Sequence, residues 1–415
     1  MKSVMLEKHP MLSVAEALDF LLAAARPITQ SESVPTLAAN GRVLAADQTS
    51  QLNVPPADNT QMDGYAVRAA DCASGQARLA VSQRIPAGAV PSALQAGTAA
   101  RIFTGALIPS GADAVVMQEA CAPEKSEAGE FVTVNHIPKP GEWIRRSGED
   151  IGAGATILQA GTRLRAQELG LAASVGLASL PVLRKLRVAV FFTGDELAMP
   201  GEPLKPGAIY NSNRFMLRGL LENHGCAITD YGIVPDTLAA TRETLRQAAR
   251  AHDLIITSGG VSVGEEDHVR PAVEAEGKLN LWQIAMKPGK PLAFGEVNRA
   301  DGGTAFFMGL PGNPVSSFVT FLLFVRPFIL RLQGVQQVTP MSYAMRADFS
   351  WPKGDRRNEF LRAKVNAEGG LDLFANQGSG VLTSTVWGDG LIDNPPDRTI
   401  APGDTVRFIP FTELL

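Results

Sequence analysis

Two stretches decide the fold: Arg187-Val188-Ala189-Val190-Phe191-Phe192-Thr193-Gly194-Asp195-Glu196 and Asp253-Leu254-Ile255-Ile256-Thr257-Ser258-Gly259-Gly260. Each is a short apolar run without polar alternation, closed by glycine and polar residues. Such a run reads as a strand buried on both faces. Helical patterns lie between and beyond them, over Arg214–His224, Leu238–Ala251 and Val269–Ala275. Strands are expected at Ala227–Val234 and Leu281–Met286, and a hairpin at Leu292–Val297 and Thr304–Met308. A last helix is expected over Val315–Leu332. Strands alternating with helices predict a central doubly wound, mostly parallel α/β sheet.

Outward from this unit the texture changes. Short β-type runs at Ala77–Ser82, Ala99–Phe103, Ala114–Gln118 and Phe131–Val134 alternate with Gly/Pro turns, which predicts an inserted all-β module. Ser13-Val14-Ala15-Glu16 is a capping box that starts a helix stopped by Pro27. A second helix at Ala166–Val175 follows the β module, and the two are expected to pack on each other. Tyr343–Phe349, Glu359–Val365 and Thr405–Ile409 predict a C-terminal β domain. The expected class is α/β plus β, multidomain. The expected boundaries are 1–54 with 146–184 as a helical linking domain, 55–145 as the β module, 185–337 as the α/β domain, and 338–415 as the C-terminal β domain.

A chain of 415 residues suits about three domains at roughly 150 residues each. Lys+Arg 38 against Asp+Glu 42 leaves a net charge of −4, which argues against a nucleic-acid backbone binder. Cys72, Cys121 and Cys226 are widely spaced, with no C-x-x-C, so zinc ribbons and dithiol redox motifs are excluded. Glu7, Glu16 and Asp19 interrupt any secretory signal, and prolines cut the longest charge-free run, leaving an apolar helix start at Val315–Val325. A cytoplasmic protein without a membrane partner is expected. The five histidines show no metal-ligand spacing, and no Ser-His-Asp set is readable.

In open α/β sheets ligands bind outside the C-terminal ends of the strands. The residues that follow the strands are therefore the candidates. Asp195 and Glu196 follow the first and Asp236 the second, and Ser258-Gly259-Gly260 follows the third, with Asp267 closing that loop. Converging carboxylates repel unless a cation relieves them, and Mg²⁺ held by one or two carboxylates plus substrate phosphates would do so. A plainer reading has Asp236 capping a helix and Glu196 solvated. Ser258–Gly264 suits an anion through its glycine amides, or is simply a turn; it lacks the Walker lysine. Lys287-Pro288-Gly289-Lys290-Pro291 is a stiffened cationic turn fit for an oxyanion, or a solvated basic loop. Leu310-Pro311-Gly312-Asn313-Pro314-Val315-Ser316 leads into a helix whose amides attract an anion, or is a rigid loop serving only the fold. In the β module Asp63 before Gly64 is a site or a turn residue, and Arg145-Arg146 meets phosphate or solvent.

Together these motifs resemble the molybdopterin molybdenumtransferases, which include the E domain of gephyrin. The carrying residues are Met62–Ala66, Phe103-Thr104-Gly105, Arg146–Asp150, Thr193–Leu197, Ser258–Gly264, Lys287–Pro291 and Gly309–Ser316, in matching order. The tail adds Glu359-Phe360-Leu361-Arg362 and Gly378-Ser379-Gly380. The resemblance implies Mg²⁺-dependent insertion of molybdate into the dithiolene of adenylylated molybdopterin, with release of AMP. It implies a homodimer whose cleft faces the partner's β module. It implies Ser258, Gly259 and Gly260 at the pterin phosphate, and Glu196, Asp236 and Asp267 at Mg²⁺ or the pyrophosphate. Lys287, Lys290 and Ser316 would hold molybdate with Arg362 and Ser384, beside Pro311 and Pro314. Asp63, Thr104 and Asp150 would complete the site across the interface. Competing readings are the pathway's molybdopterin adenylyltransferase, which is also a possible partner, and a gephyrin-like scaffold without catalysis.

Overall fold

The computed structural model describes residues 11–260 and 268–415. Six strands form the central sheet: β1 (Arg187–Thr193), β2 (Ala227–Val234), β3 (Leu254–Ser258), β4 (Gly277–Gln283), β5 (Pro291–Asn298) and β6 (Thr304–Leu310). Their order is β2-β1-β3-β6-β5-β4. The first four run parallel, and β5 and β4 add antiparallel. Side chains of β1 alternate between two cores. Val188, Val190 and Phe192 enter one, and Ala189 and Phe191 enter the other. Burial on both faces is why the run carries no polar alternation.

Helices α1 (Ser212–Asn223), α2 (Leu238–Ala251) and α3 (Val269–Glu276) cover the sheet. Leu217, Leu220 and Leu221 of α1 pack on the Val188 side, while Leu245 and Val269 of α2 and α3 pack on the Phe191 side. A further helix runs Pro314–Leu332, with a π-type segment at Phe321–Val325. Its 19 residues are apolar and long enough to cross a membrane by length and composition, and 83% of the window is buried inside the protein.

Two expectations need correction. The strand expected at Leu281–Met286 is divided. Residues 277–283 form the antiparallel edge strand β4, which follows α3 with no loop. Met286–Lys287 then leaves the sheet and pairs in parallel with Asn358–Glu359 of the C-terminal sheet. Also, the capping-box helix forms as Val14–Ala24, but it does not pack on Ala166–Ser174. Ala17 and Leu21 enter the central core against the Pro314–Leu332 helix. The two flanks of the β module are joined instead by an antiparallel ladder between Ser31–Pro35 and Ser179–Leu183.

Gly64–Val67, Ala77–Ile85, Thr98–Ile102, Ala114–Met117, Cys121–Ser126 and Gly129–Val134 make a six-stranded sheet of their own. Another sheet gathers Met286–Lys287 with Asn358–Val365, Gly390–Asn394, Thr405–Pro410 and Tyr343–Arg346, and Leu371–Leu373 joins its second strand.

His224 closes the C-terminal end of α1, is only 1% exposed and stacks on Phe321 at 6.1 Å. Burial, then the cations of Arg163 and Arg326, push its pKa down to about 4, against an opposing backbone contact at Leu414. In the unfolded chain the ring titrates near about 6.5. Between these values the unfolded state binds the extra proton, so stability is complete above the higher pH and falls as pH drops toward the lower. The unfolding free energy from urea titration is expected to decline across this window, by up to about 1.4 kcal/mol per pH unit from this group. His224→Phe should flatten that decline. An unchanged slope in the variant would place the acid sensitivity elsewhere.

Candidate functional site: a cleft at the strand ends

The C-terminal ends of β1, β3 and β6 open into a cleft of about 810 Å³. Thr193, Gly194 and Glu196 enter from β1, and Asp236 follows β2. Ser258, Gly259 and Gly260 follow β3, and Pro311 to Pro314 and Ser316 follow β6. Lys287 and Lys290 line it from the turn after β4. Thus ten of the expected site residues meet in one cavity: Glu196, Asp236, Ser258, Gly259, Gly260, Lys287, Lys290, Pro311, Pro314 and Ser316.

The floor is fixed by an amide that sequence reading missed. Asn213 Nδ2 donates to Ser258 Oγ at 2.8 Å and to the Gly312 carbonyl at 2.7 Å. Ser258 Oγ donates to the Pro311 carbonyl at 2.9 Å. The start of α1, the end of β3 and the loop after β6 are therefore tied at one point. Ser258 is engaged in this tie, so its hydroxyl shapes the floor rather than facing a ligand. Gly259 has φ +96°, and a Cβ there would lie 2.8 Å from the Thr193 carbonyl, so the close approach demands glycine. Gly194 has φ +144°, and the Glu196 carboxylate occupies the space a side chain would need. Thr193 Oγ1, Asn211 Nδ2 and Asn213 Oδ1 are buried at the cleft without a hydrogen-bond partner among the described residues. Buried polar atoms need partners, so this wall suits a polar ligand.

The charges are arranged unequally. Helix α2 is capped by Thr237, whose Oγ1 accepts from Ala240 N at 3.3 Å. The plainer reading of Asp236 as that cap is therefore set aside. Lys287 Nζ lies 3.2 Å from Glu359 Oε1 and 3.5 Å from Asp355 Oδ2. It is a paired cation, not an open one. Lys290 is exposed and has no ion pair with another described residue. Asp355 also takes a fork from Arg357, which above all holds its carboxyl far below the usual carboxylate range, with Lys287 adding to the effect. Arg357, Gln377, Gly378 and Ser379 form the far wall; Gly378 and Ser379 belong to the tail motif of the resemblance, whereas Arg357 and Gln377 were absent from the sequence reading. The Ser379 carbonyl accepts the Val315 amide at 3.0 Å, so one of the helix-start donors is already engaged.

Arg362 and Ser384 do not line the cleft. Arg362 is fully buried behind the far wall. Its Nε donates to Ser384 Oγ at 3.0 Å, and its other nitrogens donate to the carbonyls of Phe360 and Gly378. No carboxylate among the described residues pairs with it, and burial lowers its pKa to about 10. Asp63, Thr104 and Asp150 lie in and beside the β module, away from this cleft. Asp63 Oδ1 accepts both Thr104 N and Thr104 Oγ1 at 2.7 Å, which holds its carboxyl below the ordinary value. The structure so joins two of the expected residues to each other. Asp150 is exposed, and only its backbone amide is bonded, to the Val54 carbonyl. Arg146 pairs with Asp58 at 2.6 Å rather than standing open.

Asp267 lies outside the described residues. Among those described, no three acidic, histidine or cysteine groups gather as metal ligands. Glu196 and Asp236 share the cleft, and two carboxylates completed by phosphate oxygens is a donor set Mg²⁺ accepts.

Three family models together match most of the chain. Residues 12–176 match the MoeA N-terminal region (domain I and II), 189–331 a probable molybdopterin binding domain, and 344–411 the MoeA C-terminal region (domain IV). A molybdopterin molybdenumtransferase of Haemophilus influenzae is 38% identical over 411 residues, spanning 98% of this chain and 100% of that one. The chain belongs to the molybdopterin molybdenumtransferase family. Another relative, molybdopterin molybdenumtransferase 2 of Mycobacterium tuberculosis, is 39% identical over 91% of this chain and 93% of its own. The crystal structure of a molybdopterin biosynthesis MoeA protein from Pyrococcus horikoshii superposes with a TM-score of 0.82 at 31% identity, covering 97% of this chain and all of that one. The multidomain, mixed-sheet architecture of this enzyme family is thus shared along nearly the whole length.

Proposed function

We propose that this chain inserts molybdate into the dithiolene of adenylylated molybdopterin and releases AMP, in a Mg²⁺-dependent step. The observation that carries the reading is one cleft holding Glu196 and Asp236 on one rim and Lys290 on another, over a glycine floor. The amides of Gly259 and Gly260 suit the phosphate groups of the substrate. Glu196 and Asp236, with Asp267, would hold Mg²⁺, which when bound neutralises charge on the pyrophosphate. Lys290 and Ser316 face the molybdate, beside Pro311 and Pro314. Lys287 contributes through its tethered ammonium. Arg362 acts from behind the wall, where its carboxylate-free charge attracts an oxyanion and its bonds hold Gly378 in place, with Ser384 orienting it. The sulfur donors belong to the pterin, consistent with three cysteines that form no disulfide.

The Asp63–Thr104 pair and Asp150 complete the site in a homodimer, where the β module of one subunit covers the cleft of the other. The N- and C-terminal matches favour this transferase over an adenylyltransferase. The adenylyltransferase remains the natural donor partner, in the cytoplasm. Purified protein given adenylylated molybdopterin, molybdate and Mg²⁺ is expected to release AMP. No release removes the enzyme reading, and ATP-dependent adenylylation of molybdopterin would favour the adenylyltransferase. Asp63→Asn should lose activity while keeping its melting temperature. Mixed with Glu196→Ala, it should regain activity through heterodimers; no recovery argues for a cleft within one chain.

A further inference from the structure

At the opposite pole of the central sheet lies a second crevice of about 210 Å³. It sits where strands begin, since Arg184 precedes β1, Asp253 precedes β3 and Thr304 opens β6. Three guanidinium groups wall it: Arg26, Arg184 and Arg299. We propose that this crevice binds a small tetrahedral oxyanion dianion.

Charge is the first argument. Arg184 forks onto Asp253 at 2.7 and 2.9 Å, and Arg187 approaches the same carboxylate at 3.6 Å. Arg26 pairs with Glu296 at 2.8 Å. Four cations thus face three carboxylates, since Asp301, in the turn after Arg299, keeps its charge while accepting from the Gly303 amide. The local surplus is positive, which favours an anion. Geometry is the second argument. Arg299 Nη2 donates to the His252 carbonyl at 2.5 Å, which fixes the guanidinium. Its Nε is buried and has no partner among the described residues. A charged N–H left without an acceptor is costly, and charge-assisted bonds to an oxyanion are the strong way to satisfy it. Arg26 lies over the Phe306 ring at 4.3 Å and donates to Thr304 Oγ1 at 3.0 Å, so it too is held in place. The crevice is roomy for a tetrahedral ion and small for a nucleotide or a pterin.

The test is calorimetric titration of the full chain with sodium phosphate, sulfate and molybdate, each at an ionic strength matched with chloride. One site is expected for phosphate and sulfate. Arg299→Gln should weaken it at least about tenfold, the scale of one lost charge-assisted bond. Arg26→Gln, at a more exposed position, should weaken it too, which covers misfolding of the first variant. Lys290→Ala, in the other cleft, should leave it intact. Molybdate binding that survives Lys290→Ala and is lost in Arg299→Gln would extend the site to that ion. Affinities unchanged in both arginine variants, or no binding beyond that of chloride, would overturn the proposal.

Discussion

Asn213→Ala is expected to slow AMP release about 100-fold, the scale that a misplacement of about 1 Å costs a reaction centre. The amide has no charge to offer and no proton to transfer. Its part is to hold Ser258 and Gly312 at fixed distances, so that the loops after β3 and β6 keep one spacing. Removing it frees a part-buried carbonyl and takes a donor from a buried hydroxyl, at a cost of about 1 kcal/mol in stability. A positioning role predicts that kcat falls while KM for molybdate holds, because Lys290 and Ser316 are untouched. Asn213→Asp should not rescue the rate, since a carboxylate lacks both donors. A rate within about twofold of the parent would remove Asn213 from the machinery.

The second large effect lies at Glu359. This carboxylate is 1% exposed and takes four donors: Lys287 Nζ at 3.2 Å, Trp351 Nε1 at 2.8 Å, the Asp355 amide at 3.2 Å and Asn394 Nδ2 at 3.4 Å. Glu359→Ala leaves those groups facing a void, and a loss of about 2 kcal/mol is expected, the cost of buried donors left without their acceptor. Urea unfolding followed by far-UV circular dichroism measures the change. Glu359→Gln keeps the shape but turns a donor toward donors, so it should fall between. The alanine variant should also raise KM for molybdate as Lys287 loses its anchor. A shift below about 0.5 kcal/mol would show that the site has other support.

Much of the cleft was legible because its residues follow apolar strands directly. Glu196, Asp236 and Gly259 could be placed by asking only what comes after Phe192, Val234 and Thr257. Gly259 and Gly260 also announce themselves, since adjacent glycines signal backbone that no side chain tolerates. The remainder depends on tertiary approach. Asn213 sits one position inside α1, where asparagine carries no special signal, and its partners are distant in sequence. Arg357 and Gln377 reach the cleft only because the C-terminal sheet folds against it. Arg362, expected at the molybdate, lies buried behind the wall, and its burial was not legible because a buried guanidinium needs carbonyl acceptors that only the folded chain supplies. The helix at Val14–Ala24 shows the same limit. Its capping box fixes where it starts, whereas its docking partner depends on which apolar surface its own face fits.

The two-residue bridge of Met286–Lys287 to Asn358–Glu359 has a mechanical consequence. It stitches a cleft lysine onto the C-terminal unit by backbone bonds. That unit cannot swing outward without hauling this lysine along. Motion of the tail would then alter the electrical character of the cavity before altering its width.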